Sequence, residues 1–380
     1  MGHGRRRGGR PRPRRALHAQ PGERRAAARP RPAGFVPGLG RRTRGRPSRR
    51  LPDRGNGPED PRRRLARVAR AASVHRAMTA GEPLVVEAVR GDLVESTHLI
   101  DVVIVDAGGT TAASAGDPGT VAYLRSSAKP VQATVCLELG WDPPAAEQLA
   151  VACASHNGEP VHVEAVRETL RAAGLDETAL RCPGPAPIVH NCSGKHAAML
   201  AACVANGWDP ARYLDPDGPI QAAVRRRIED FAGRPSRAVA TDGCGAQTFA
   251  FSLTEAAALA VRLPRDAPRA IAAMRAHPYL VAGAGRLCTA VMSAASGVVL
   301  KVGAEGLLCG VLMETGVGFA MKARDGVARG REVAAVWLLE RLGVLTPDTA
   351  ARVLAEVLPN VVGAIGRHPE MRCRGELIRR

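Results

Sequence analysis

Lysine is almost missing from this chain. Its 380 residues carry 54 basic Lys and Arg side chains, and only four of these are lysine: Lys129, Lys195, Lys301 and Lys322. Wherever a positive charge alone is needed, arginine supplies it. Arginine stays protonated, whereas a buried lysine gives up its proton and acts as base, nucleophile or ligand. Scarcity therefore marks the lysines as candidates for chemistry. Three of them lie in Gly- or Ser-marked segments, "RSSAKP", "HNCSGKH" and "LKVGAEG". Lys322 adjoins the charged turn "KARDG" and reads as an ordinary surface cation.

Other shortages narrow the class. Aromatic residues make up 3% of the chain. No apolar run approaches the ~20 residues of a membrane span, and the start lacks the apolar core of a secretory signal. The nine cysteines are odd in number and irregular in spacing, so reduced thiols are expected rather than a disulfide framework. A soluble, cytoplasmic protein with no membrane partner is the expectation. No segment repeats at a period of 20–50 residues.

Charge is distributed very unevenly. Residues 1–77 hold 24 arginines against four acids, a balance of +20, while residues 78–380 are near neutral at −2. The first segment is built from Arg, Pro, Gly and Ala and has little apolar surface to offset the entropy of ordering, so disorder is expected. Clustered arginine of this kind is what a nucleic-acid-binding arm would use to neutralise phosphates. It is also what GC-rich DNA yields when translated without selection for a fold. Met78, just before the first strand-like run, is a plausible start. The body, 78–380, is long enough for one large domain with a sizeable core.

Along the body, Leu84–Val89 and Leu93–Val105 read as strands joined by the turn "RGD". A helical block follows over 130–139, 159–174, 195–207, 220–231, 253–262 and 267–276. Three β runs, 297–303, 305–314 and 316–323, suggest a meander, and 330–344 reads as an amphipathic helix. The order strands, helices, strands, helix predicts an α/β fold whose largely antiparallel sheet is assembled from both chain ends.

Two sets of residues carry chemistry. Ser126 stands three positions before Lys129, a spacing that brings serine and lysine side chains together on a helix. A desolvated lysine can take the serine proton, the Ser-x-x-Lys device of penicillin-recognising acyl-enzymes. "SHN" at 155–157 and "KVG" at 301–303 follow in the order those enzymes use. In that scheme Ser155 relays a proton and Lys301 lines the site from a strand. Because Pro130 disfavours α conformation at Lys129, the helix is expected to start at or after the motif, with Ser127 as its cap and Ser126 free. The second set is "NCSGKH" and "TDGCGAQ", which place Cys192 and Cys244 among glycines. Two thiolates and a further ligand suit Zn²⁺. His196 is an ordinary third donor, and Lys195 would serve only as a neutral amine. Asp242 could hold a substrate amine or a water.

The segments "YLRSSAKPVQA", "ASHNGEPVHVEAVRETL", "NCSGKHAAMLAACVANGW", "YLDPDGPIQ", "DGCGAQTFAFSL", "MRAHPYLVAGAGR" and "LKVGAEG" together resemble the bacterial L-asparaginase II family, the rhizobial-type or class 3 asparaginases. The resemblance runs from about Leu84 to about Gly366 and covers none of 1–77. It implies a β-lactamase/glutaminase-like fold over 78–380 and hydrolysis of L-asparagine to aspartate and ammonia by a homodimer. It implies Ser126 as nucleophile, Lys129 as its base, and Ser155 with Lys301 as a second serine–lysine pair. Cys192, Lys195 and Cys244 would hold a zinc ion that aids substrate binding, and Arg125, His196 and Asp242 would place the substrate or the metal. The chain departs from the pattern at Asn157, where a second serine is usual, and at Gln247, where proline is usual. Its link "RCPGPAPIVHNCSG" is short and lacks a helical segment, and its end, "HPEMRCRGELIRR", is unlike the family's.

Overall fold

The computed structural model describes residues 81–362 and 369–379. The basic segment 1–77 and the start at Met78 lie outside the described residues.

The described residues open with strands β1 (Leu84–Arg90), β2 (Leu93–Val105), β3 (Thr111–Ala115) and β4 (Val121–Tyr123). A 3₁₀ turn at Arg125–Ala128 leads into helices α1 (Lys129–Glu138), α2 (Ala146–Ala152), α3 (Pro160–Ala172), α4 (Ser193–Ala205) and α5 (Pro219–Ala232). Strands β5 (Ala238–Thr241) and β6 (Gln247–Ser252) precede α6 (Leu253–Asp266), α7 (Pro268–Ala276), α8 (Pro278–Ala282) and α9 (Leu287–Ala294). The chain then forms β7 (Val298–Val302), β8 (Leu307–Leu312), β9 (Gly318–Ala323), α10 (Ala328–Arg341), α11 (Pro347–Val362), β10 (Glu370–Arg374) and β11 (Ile378–Arg379).

The main sheet is antiparallel throughout, with the order β10-β1-β2-β9-β8-β7. Strand β2 is long enough to pair β1 along its first half and β3 along its second, and β11 extends that edge beyond β3. Strands from both ends of the described residues thus build one sheet, and β7, β8 and β9 form the expected meander. A second sheet, β4-β6-β5, carries the approach to the Ser126 turn.

Helix α4 is the centre of the helical block, packing against α1, α2 and α3. Its residues Ser193–Cys203 are buried on every side, which suits a run of alanines with few bulky side chains. Gly194 explains how close α4 comes to α2: a Cβ there would lie 2.2 Å from the Val151 carbonyl oxygen. Lys195 and His196 sit in this same buried turn, so burial of their polar ends is forced by the packing around them.

Several sequence expectations are corrected. Lys129 is α-helical, with φ −58° and ψ −37°, despite Pro130. The steric bias before proline is a preference, and full burial of Lys129 among oxygen acceptors outweighs it. Ser127 is not the cap: Ala128 occupies that position and no side chain caps the helix. The run at 330–344 is not an amphipathic helix with a solvent face, because α10 lies between the sheet and α11 and is buried over most of its length. Strands β3, β4, β5, β6, β10 and β11 and helices α2, α8, α9 and α11 are additions. All are short except α11, whose 16 residues are amphipathic and which the sequence reading misses.

Candidate active site

The Ser126 turn is built under strain. Arg125 has φ +48°, a left-handed conformation that costs a non-glycine residue about 1–3 kcal/mol. Strand β6 holds it there: Leu124 N–H donates to the Phe249 carbonyl at 2.9 Å and Arg125 N–H to Thr248 Oγ1 at 3.1 Å. Ser126 follows, half-buried, and its hydroxyl has no hydrogen-bond partner among the described residues. Ser127 points the other way and donates to the Lys301 carbonyl at 2.9 Å.

Behind the turn, Lys129 and Lys301 are both buried and meet at one side chain. Ser155 Oγ lies 3.1 Å from Lys129 Nζ and 2.8 Å from Lys301 Nζ. Lys129 Nζ also reaches the Ala154 carbonyl and, at 3.2 Å, the Asn191 carbonyl. Its three oxygen partners match the three donors of an ammonium group. Lys301 differs. Burial, with Lys129 and Arg286 adding to it, pulls Lys301 down from 10.5 to about 7, so the neutral amine is populated at neutral pH. No hydrogen bond joins Ser126 to Lys129 among the described residues. The structure instead brings Lys129, Ser155 and Lys301 together, with Ser126 at the head of the turn that leads into Lys129.

The second set of residues also converges. Cys192 and Cys244 form a small buried cluster with Ala246, lined by Leu214. Lys195 Nζ lies 3.1 Å from Cys244 Sγ. The Cys244 thiol, together with Lys129 and His190, draws Cys192 far down against its burial, and the same contact pushes Cys244 up. The pair therefore holds one thiolate beside Lys195. Lys195 is raised even though burial opposes it, because Cys244, Cys192 and Asp242 all favour its charge. Among the described residues no group of three or more His, Cys, Asp and Glu side chains could hold a metal. The two thiols gain Lys195 as a third ligand only if it gives up its proton, because an ammonium has no lone pair; as the neutral amine it completes a sulfur–nitrogen set of the kind zinc takes.

A tight turn presents Cys244: Asp242 N–H donates to the Ala246 carbonyl and Gly245 N–H to the Asp242 carbonyl, each at 2.8 Å. Arg125 pairs with Asp242 at 2.9 Å, linking the serine turn to the thiol turn. His196 is fully buried. Its Nδ1 is 2.7 Å from the Tyr213 hydroxyl, its Nε2 has no partner among the described residues, and burial followed by Lys195 keeps it neutral.

Sequence reasoning missed His156 and Asn191 and left the partners of Asn157 unassigned. His156 is buried next to Ser155; its Nδ1 accepts from Gly158 N–H at 3.0 Å and its Nε2 lies 3.1 Å from Ser193 Oγ, which ties the Ser155 loop to α4. Burial, then His162 and Lys129, lowers His156 to about 3. Asn191 lends a carbonyl to Lys129 from within the shortened link, which folds as a 3₁₀ turn at Pro187–Val189. Asn157, the departure from the usual serine, accepts from Arg286 at 2.9 Å and donates to the Ala284 carbonyl at 3.0 Å, pinning the loop before α9. His156 and Asn157 both stand in the motif "SHN", whereas the carbonyl of Asn191 carried no signal in the sequence.

Solved structures of similar shape include Mglu in its native form, at 13% identity over 75% of this chain and 73% of that one, with a TM-score of 0.41. A β-lactamase from Mycobacterium bovis is similar at 13% identity over 68% of this chain and 94% of that one, with a TM-score of 0.30. No curated protein matches the sequence. Residues 86–368 match the family L-asparaginase II, a span that holds every residue of both sets. The chain belongs to the L-asparaginase II family and is an amidohydrolase.

Proposed function

We propose that the chain hydrolyses the side-chain amide of L-asparagine through an acyl-enzyme on Ser126, giving ammonia and L-aspartate. The observation that supports this reading is Ser155 held between two buried lysines, of which one, Lys301, has its neutral amine populated near pH 7.

That arrangement supplies a proton route. Ser155 accepts a hydrogen bond from Lys129 and gives its own to the Lys301 amine. Moving one proton from Lys129 to Ser155, as Ser155 passes one to Lys301, leaves Lys129 neutral. Lys129 then takes the Ser126 proton while Ser126 Oγ bonds to the amide carbon. Lys129 returns the proton to the amide nitrogen as the C–N bond breaks and ammonia leaves. Water attacks the ester with the same base, and Ser126 recovers its proton.

The Arg125–Asp242 pair offers opposite charges side by side, which suits the α-carboxylate and α-ammonium of a free amino acid. His196 would act from the Lys195 side. A zinc ion would be held by Cys192, Lys195 and Cys244, where it would supply positive charge for substrate binding. Zinc content measured on the purified protein, and its loss in Cys192→Ser, tests that assignment apart from activity. A homodimer is the expected assembly, checked by sedimentation velocity.

Ammonia release from asparagine and from glutamine tests the reaction, with Ser126→Ala as the control. Loss of at least ~10³-fold in Ser126→Ala is expected. Full activity in that variant removes Ser126 as nucleophile, and hydrolysis of nitrocefin in place of asparagine would favour a penicillin-recognising acyl-enzyme.

A further inference from the structure

We infer that Ser127 and Arg331 are positioning residues that lock the Lys301 end of β7 against the turn carrying Ser126. The inference rests on the reading of Ser126 and Lys301 above and says how their separation is set.

The two neighbours of the nucleophile's turn both press on the exit of β7. Ser127, buried, donates its hydroxyl to the Lys301 carbonyl at 2.9 Å. Leu124 approaches Gly303 so closely that a Cβ there would stand 2.9 Å from the Leu124 carbonyl oxygen and 3.1 Å from Ser127 Oγ. Only glycine allows this contact. Ser127 also touches Cys309, the cross-strand partner of Lys301 on β8, whose thiol burial pushes up to about 12.

Arg331 secures the same segment from the opposite side. It leaves the first turns of α10, is 6% exposed, and donates Nη1 to the Gly303 carbonyl at 2.9 Å. A longer contact reaches the Leu307 carbonyl at 3.4 Å, and Leu307 accepts the Gly303 N–H at 2.8 Å. Arg331 pairs with its buried neighbour Glu332. Arg331 Nε and Glu332 Oε2 have no partners among the described residues. A buried, partly satisfied ion pair stabilises a fold less than apolar residues of the same volume would. What this pair does provide is a fixed guanidinium on the turn that follows Lys301. Loosening either clamp would admit water to the Lys301 amine and widen its distance from Ser155.

The test uses the small number of lysines. The full chain labelled with lysine carrying ¹³C at Cε gives four resonances, and Lys301→Arg assigns the one of interest. The groups facing Lys301 are Cys288, Lys129, Arg286 and Cys192, with Cys153 and Cys309 beside them. The Lys301 resonance in the wild type is expected to titrate near about 7. Ser127→Ala is expected to move that midpoint up by ~1 unit as desolvation weakens. It should lower kcat ~10-fold with KM within ~2-fold, because alignment rather than substrate affinity is lost. Ser127→Thr should restore both readouts. Arg331→Lys, which keeps the charge and shortens the reach, should move the midpoint in the same direction and serves if Ser127→Ala does not fold. An unmoved Lys301 midpoint in folded Ser127→Ala and Arg331→Lys overturns the inference, even if melting temperature falls. The titration needs no substrate. A wild type that titrates as expected but leaves asparagine intact would overturn the functional reading alone.

Discussion

Lys301 and Lys195 are the same residue type, and both are fully buried, yet they are driven in opposite directions. Lys301 lies among the Lys129, Arg286 and Val302 groups, where burial dominates and the amine is lowered to about 7. Lys195 lies 3.1 Å from a thiol of a cysteine pair that holds one thiolate, and its charge is favoured in spite of burial. Burial alone therefore does not make a lysine a base. What decides the outcome is whether the neighbouring groups offset burial: around Lys195 they do, and around Lys301 they do not.

The largest effect should come from removing the base. Lys301→Met is expected to lower ammonia release by ~10²–10⁴-fold. The same variant should gain stability at neutral and lower pH. The folded protein releases the Lys301 proton near 7 and the unfolded chain near 10.5, so the unfolded state binds more protons between those values. Wild-type stability attributable to this group therefore rises with pH across that window, and below it the cost of the buried charge is fully present, on the order of a few kcal/mol. Urea unfolding of wild type and Lys301→Met at pH 6, 8 and 10 should converge as pH rises. A pH-independent difference would show that burial does not govern Lys301.

Breaking the other member comes next. Cys244→Ala leaves the Lys195 ammonium short of its nearest compensating group and should cost ~3 kcal/mol in metal-free protein, read by denaturant titration. The Cε resonance of Lys195 should then titrate at lower pH than in the wild type. If it does not, Cys244 is not what holds the charge.

His156 extends the comparison to a group whose shift is also dominated by burial. Its folded value near 3 lies below the ordinary 6.5, so its contribution to stability is present above 6.5 and is lost as pH falls toward 3. His156→Gln should flatten the acid limb of the stability profile, with thermal melts from pH 4 to 7 as the readout. The smallest effect is a control away from both lysines. Ser252 and Glu255 form a capping box at the start of α6, and Ser252→Ala should cost ~1 kcal/mol without moving either lysine resonance.

Much of the site was legible because arginine is used so freely that each lysine stands out. The sequence order of Ser126, Lys129, Ser155 and Lys301 also pointed to the chemistry. What could not be read was which partners meet. Ser155 and Lys301 are 146 residues apart, and Ser127 and Lys301 are 174 apart, so their contacts depend on how β7 returns beside the first helix. Ser127 looked like a helix cap because local rules assign serine that role, and a tertiary contact took it instead. Periodicity found the long strands and the long helices other than α11, but the short β5–β6 hairpin and the closing strands β10 and β11 carry too few residues to show a period. Arg331 was hidden by composition, as one arginine among fifty.

The most direct measurement is the site of covalent labelling by a diazoketone analogue of asparagine, mapped by peptide mass spectrometry. The account predicts alkylation of Ser126 in the wild type, none in Ser126→Ala, and protection by asparagine. A label on Ser155 or on a cysteine, with Ser126 untouched, would contradict it.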